Sequence, residues 1–103
     1  MESINYKLIL RQLAVKLKMP NFSEDIAGVD VFLPVLEKMR REGAVIIMKL
    51  DGERGEDDNG PYTAIVLGQI MKGEEIRTDA QTVEEALSYI VINYARRFWN
   101  LRE

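Results

Sequence analysis

The sequence contains neither cysteine nor histidine. Without cysteine there is no disulfide framework, no thiolate nucleophile and no sulfur-ligated metal. Without histidine there is no imidazole general base, and the usual ligands of zinc and copper are missing. Long apolar runs are missing too: none approaches the roughly 18 residues of a membrane span, and Glu2 and Lys7 break up the first segment, which therefore has no signal-peptide core. The expectation is a chain with no membrane contact and a cytoplasmic location. Excess positive charge is also lacking, since 14 Lys and Arg face 17 Asp and Glu for a net charge of −3. A whole-surface attraction to nucleic acid or anionic lipid is therefore not expected, although a local basic patch remains open.

What is present is 103 residues that are 47% apolar, enough for one core and too few for two. A folded chain of this size hides roughly 65% of the surface its unfolded form exposes, so it can fold without staples. Ile4 to Leu17 places Tyr6, Ile9, Leu10, Leu13 and Leu17 at steps of three and four, which predicts a helix over about 4–18 capped by Ser3. Leu8 and Val15 widen its apolar surface beyond one contact, while Lys7, Arg11 and Lys18 fall within about 40° of one another and form a basic stripe. Residues 19–30, with Pro20 and Gly28, read as a connection in which Phe22 and Ile26 are the anchors. A second helix is expected from Val31 to Glu42, with Pro34 in its first turn, Gly43 just past its end, and Leu33, Leu36 and Met39 as its buried stripe beside Phe32 and Val35.

Ala44 to Leu50 is apolar on both faces until Lys49, the pattern of a central strand. Tyr62 to Leu67 gives a second strand and Glu75 to Thr78 a third, joined by a turn at Lys72-Gly73. Thr82-Val83-Glu84-Glu85 has the form of a capping box, with Thr82 as the cap and Glu85 reaching back. From there Val83, Leu87, Ile90, Val91, Tyr94 and Phe98 keep a helical period to the chain end, with Arg96, Arg97 and Arg102 at the pole that favours cations. The fold class is α+β in the order α-α-β-β-β-α: a three-stranded antiparallel meander packed against helices, one domain with a core over about 31–99 and the segment 4–18 as an added element.

Few residue sets suit chemistry. The stretch Asp51 to Gly60 is rich in carboxylates, the ligand type of calcium, but reading Asp51 as the first ligand of an EF-hand puts Glu56 where glycine is needed and Tyr62 where glutamate is needed. Ser3, Ser23 and Ser88 sit in no nucleophile turn, and Gly52, Gly55 and Gly60 match neither a P-loop nor a dinucleotide fingerprint. The acidic clusters have the look of exposed surface, unlike the paired, partly buried carboxylates of acid–base catalysis. The expectation is a protein without catalytic, cofactor or metal sites. Glu53, Glu56, Asp57 and Asp58 instead present a negative tip suited to a basic protein. Trp99, near the chain end and about a third of a turn from Phe98, is the candidate aromatic anchor, in a homodimer or with a foreign partner.

From Val31 onward the α-β-β-β-α order, with Gly60-Pro61 before the second strand, resembles the double-stranded-RNA-binding domain. That family grips phosphates with lysines at the start of its last helix, where this chain has Glu84 and Glu85, so the resemblance extends to the scaffold and not to RNA binding. Over about residues 44–95, the leading strand, Tyr62-Thr-Ala-Ile-Val in the second, Thr82-x-x-Glu85-Ala86 and Tyr94-Ala95 are similar to the N-terminal domain of HicB-type antitoxins. That resemblance implies a protein that neutralises a small basic toxin by covering it. The chain lacks that family's Pro- and Gly-bearing segment between the second and third strands, and 43 residues precede its first strand. The functional expectation is a non-catalytic protein-binding module for a basic partner. The alternative is a nucleic-acid-binding or regulatory protein that unites Lys7, Arg11 and Lys18 with Arg96 and Arg97.

Overall fold

The structure, a computed structural model, describes residues 29–54 and 60–101. The helix expected over 4–18, with its basic stripe, and most of the connection after it lie outside the described residues. Within them the order is a 3-10 turn (Val29–Phe32), α1 (Leu33–Arg41), β1 (Ala44–Leu50), β2 (Tyr62–Gly68), a 3-10 turn (Gln69–Met71), β3 (Ile76–Ala80) and α2 (Val83–Phe98). This is the α+β meander read from the sequence: three antiparallel strands side by side in chain order, with helices packed against them.

The first helix is shorter and differently rotated than its pattern implied. Val29–Phe32 forms a 3-10 turn, and the α-helical run begins at Leu33 with Pro34 in its first turn, where a missing N–H costs nothing. Phe32, Val35 and Met39 are the buried residues, whereas Leu33 is 56% exposed. The tighter 3-10 turn offsets the helical phase, so that Phe32 takes the inward place that the expected stripe gave to Leu33. Gly43 ends the helix as expected, with φ at +103°, a conformation that a side chain resists.

The register pairs Ala44 through Leu50 one-for-one with Gly68 through Tyr62, and Tyr62 through Val66 with Ala80 through Ile76. Among the described residues β1 is therefore an edge strand, not the central one that its apolar run suggested, and β2 is central. The run stays apolar on both sides because α1 covers one face of β1 while the other holds exposed valine and isoleucine. The third strand runs later than expected, Ile76–Ala80, because the 3-10 turn and the left-handed Lys72 and Gly73 take up the residues before it.

One face of the sheet carries the core. Ala44, Ala64, Val66 and Ala80 are buried there, Ile46, Met48 and Ile76 pack beside them, and α2 lays Leu87, Ile90, Val91 and Tyr94 across β2 and β3. Small alanines on the strands admit the large side chains of the helix, the interdigitation that dense packing needs. Thr82 caps α2 by accepting from the Glu85 N–H at 3.1 Å, the half of the capping box that fixes the helix start. The helix stops at Phe98 rather than running on: Asn100 takes a left-handed φ of +56°, and the Leu101 N–H returns to the Ala95 carbonyl, which tucks Leu101 into the core.

The burial pattern makes a paired prediction. Leu87→Ala should lower unfolding free energy by about 2 to 5 kcal/mol, while Leu33→Ala should change it by less than about 1 kcal/mol. Urea denaturation followed by circular dichroism measures both, and comparable losses would show that the buried face of α1 is misassigned.

Candidate functional site

The face of the sheet opposite the helices is built by the register. Cross-strand partners share a face, so the outward rows are Val45 with Leu67, then Ile47 with Ile65 and Arg77, then Lys49 with Thr63 and Asp79. Val45 is 47% exposed and Ile47 44%, and beside them Ile65 and Leu67 are half-buried without joining the core. Four apolar side chains thus form a strip open to solvent, and contiguous apolar surface of this kind marks interaction sites.

Charged residues close one end of the strip. Thr63 donates its hydroxyl to Asp79, Arg54 reaches the same carboxylate at 3.3 Å, and Arg77 stands 4.0 Å from it. The Thr63 hydroxyl, then the cations Arg54 and Arg77, hold the Asp79 carboxyl below its ordinary range against the opposing effect of burial. This clasp explains why Thr63, on the outward side of a strand, is buried. Next to it the Asp51 N–H donates to the Pro61 carbonyl at 2.8 Å, Asp51 accepts from the Glu53 N–H at 3.0 Å, and Lys49 pairs with Asp51 at 3.3 Å. The Glu53 N–H is the main reason that Asp51 also titrates low, with Lys49 adding to it. Gly60 closes the hairpin from the other side with φ at +122°, where a Cβ would fall 2.1 Å from the Ala80 carbonyl oxygen, so only glycine fits.

The acidic loop therefore leaves the sheet from a clasped base beside the apolar strip. Glu53 is exposed at that base. Glu56, Asp57 and Asp58 lie outside the described residues. Among the described residues no three carboxylates converge as ligands for a cation.

Trp99, the candidate aromatic anchor, is engaged within the chain. It is half-buried, stands edge-on to Tyr94 with ring centroids 5.1 Å apart, and donates its indole N–H to the Glu42 carboxylate at 2.9 Å, while Lys38 lies 5.2 Å over its ring. Glu42 also accepts from the buried Tyr94 hydroxyl at 2.7 Å and pairs with Lys38 at 3.0 Å. Burial pushes the Glu42 carboxyl up, but the hydrogen bonds of Tyr94, Lys38 and Trp99 together pull it below its ordinary value, and Tyr94 in turn is driven up by its burial and by Glu42. The cluster joins the end of α1 to the end of α2. Its sequence signal was slight, because Glu42 reads as an ordinary helix-end residue and its partners stand 52 and 57 positions away.

The basic residues of the last helix are not a ready phosphate grip. Arg97 is exposed, donates to Glu74 and lies over Phe98, so its charge is already compensated; Arg96 is exposed on the same helix. Lys7, Arg11 and Lys18, the other half of that reading, lie outside the described residues.

No protein-family model matches the sequence, and no curated protein and no solved structure matches it significantly.

Two expectations follow from these carboxylates. Glu42→Ala leaves the Tyr94 hydroxyl and the indole N–H without their acceptor and should cost about 1 to 3 kcal/mol. The tryptophan is the chain's single one, so its fluorescence during denaturation reads this directly. Asp79 and Glu42 both have lowered folded pKa values, so their stabilisation is complete above the unfolded range and drains as pH falls through the folded values. Stability measured from pH 7 downward should fall below about pH 4, and the double variant Asp79→Asn, Glu42→Gln should lose less over that window.

Proposed function

We propose that this chain is a small non-catalytic protein-binding module that covers a basic protein partner, in the manner of an antitoxin or immunity protein. The partner seats on the outer face of the sheet and is drawn in by the acidic loop beside it. The observation that carries the reading is the pair Val45 and Ile47, side by side and nearly half exposed, next to Ile65 and Leu67. An apolar strip with a charged margin is the anatomy of a protein interface.

The sign of the partner's charge follows from the margin. The cations Lys49, Arg54 and Arg77 each stand within 4.0 Å of Asp51 or Asp79, three positive charges against two negative ones. Exposed Glu53 balances the third cation, and Glu56, Asp57 and Asp58 in the same stretch of sequence are three of the acidic residues that bring the chain to −3. Such charges steer encounter more than they hold the complex.

The test begins with the protein as bait in lysate, with and without nuclease, at moderate and high salt. A stoichiometric basic protein that survives nuclease is expected; nucleic acid released by salt would favour the alternative, since phosphate contacts weaken steeply with salt. With the partner in hand, reversing Glu53, Glu56, Asp57 and Asp58 to lysine should slow association about tenfold or more at low salt without changing melting. Val45→Asp should act on the dissociation rate instead. Association at the wild-type rate in the reversed variant would remove the loop from the mechanism.

A further inference from the structure

We infer that the free edge of β1 is a self-association edge, on which two copies of the chain pair β1 with β1 antiparallel across a two-fold axis through Ile47, joining two three-stranded sheets into one of six strands. This goes beyond the partner reading and does not rest on it. Among the described residues β1 has β2 on one side and no strand on the other, and none of its seven residues takes part in a backbone hydrogen bond outside the sheet.

The two edges of the sheet differ in how they are defended. β3 has five residues and carries Arg77 and Asp79. β1 has seven, with no proline, one charge at Lys49, and one-for-one pairing with β2 that leaves no bulge. Natural edge strands avoid pairing by shortness, charge, proline or bulges, and β1 uses only its one lysine.

The strand's own sequence selects a second copy as the occupant. Ile47 is the midpoint of Ala44–Leu50, so a two-fold there sets Ile47 against Ile47, Ile46 against Met48, Val45 against Lys49 and Ala44 against Leu50. Every pairing is apolar with apolar except Lys49, which meets valine and not its own copy. The two lysines then stand four residues apart along the strand, about 13 Å, beyond the screening length at physiological salt. A basic foreign strand would instead bring cations to the Lys49 side of this edge. The pairing also explains three exposures at once: Val45 at 47%, Ile47 at 44% and Leu50 at 66% all gain neighbours from the second copy. A single strand pair of this length buries less than roughly 1,200 Å² in total, the size of a reversible contact, so the dimer should form and dissociate with concentration.

The test uses the full chain alone. Sedimentation equilibrium should show a monomer–dimer equilibrium, and Ile47→Lys, which sets two lysines directly opposite each other, should raise the dissociation constant about tenfold or more while melting stays unchanged. Because the chain has no cysteine, single substitutions report geometry. Ile47→Cys should form a disulfide-linked dimer on mild oxidation far faster than Val45→Cys, which faces Lys49, or Arg77→Cys on the opposite edge. A wild-type chain that stays monomeric up to millimolar concentration would overturn the inference. So would Arg77→Cys crosslinking as fast as Ile47→Cys, or an Ile47→Cys chain that stays monomeric with its thiol shielded from reagent, which would mean that another part of the same chain covers the edge. A monomeric chain that still captures a basic partner would sink self-association alone and leave the partner reading standing.

Discussion

One sixteen-residue helix cannot cover a three-stranded sheet by itself, and the architecture follows from that shortfall. α2 lies over β2 and β3, where Leu87, Ile90, Val91 and Tyr94 fill the space left by the strand alanines. The inner side of β1 would stay wet if α1 did not lie over it with Val35 and Met39, joined to the strand by little more than Gly43. The ends of the two helices are joined through side chains. At that seam sits Glu42, whose carboxylate ties Tyr94 and Trp99 of one element to the end of the other. A charge is tolerated there because the Tyr94 hydroxyl and the indole N–H donate to it and Lys38 lies within reach.

With both helices on one side, the other face of the sheet has no covering element among the described residues. Its two ends are treated differently. At the hairpin end, Arg54, Thr63 and Asp79 bury polar groups against one another; at the other, valine and isoleucine are left partly open. Among the described residues the core lies on one face of the sheet, and apolar side chains stay partly exposed on the other.

Local signals were legible where a single residue type has one structural use. Thr82 before a helical period, Gly43 after one, and Lys72-Gly73 between strands all stand where the sequence placed them. What the sequence could not show was phase and neighbourhood. A 3-10 turn before α1 moved Leu33 outward and Phe32 inward, because one tight turn rotates everything that follows. An apolar run such as Ala44–Leu50 looks the same whether a strand is flanked on both sides or exposed at an edge. Trp99 was visible as an aromatic near the end, but its partner Glu42 is 57 residues away, and long-range hydrogen bonds leave no mark in local pattern. The same holds for Thr63 with Asp79, which the register brings together from 16 residues apart.

The clasp at the base of the β1–β2 hairpin separates two kinds of inheritance. Asp51 bound to the Pro61 carbonyl, Arg54 bound to Asp79, and a glycine at position 60 close the hairpin before the intervening positions contribute anything. With the base closed, the entropic cost of a longer connection grows slowly, by about 0.6 kcal/mol for each doubling of length. Recognition placed on that span can drift, insert or reverse its charge over generations while the sheet beneath it is held to a fixed register. A lineage carrying this scaffold would be expected to vary slowest at Asp51, Gly60 and Asp79.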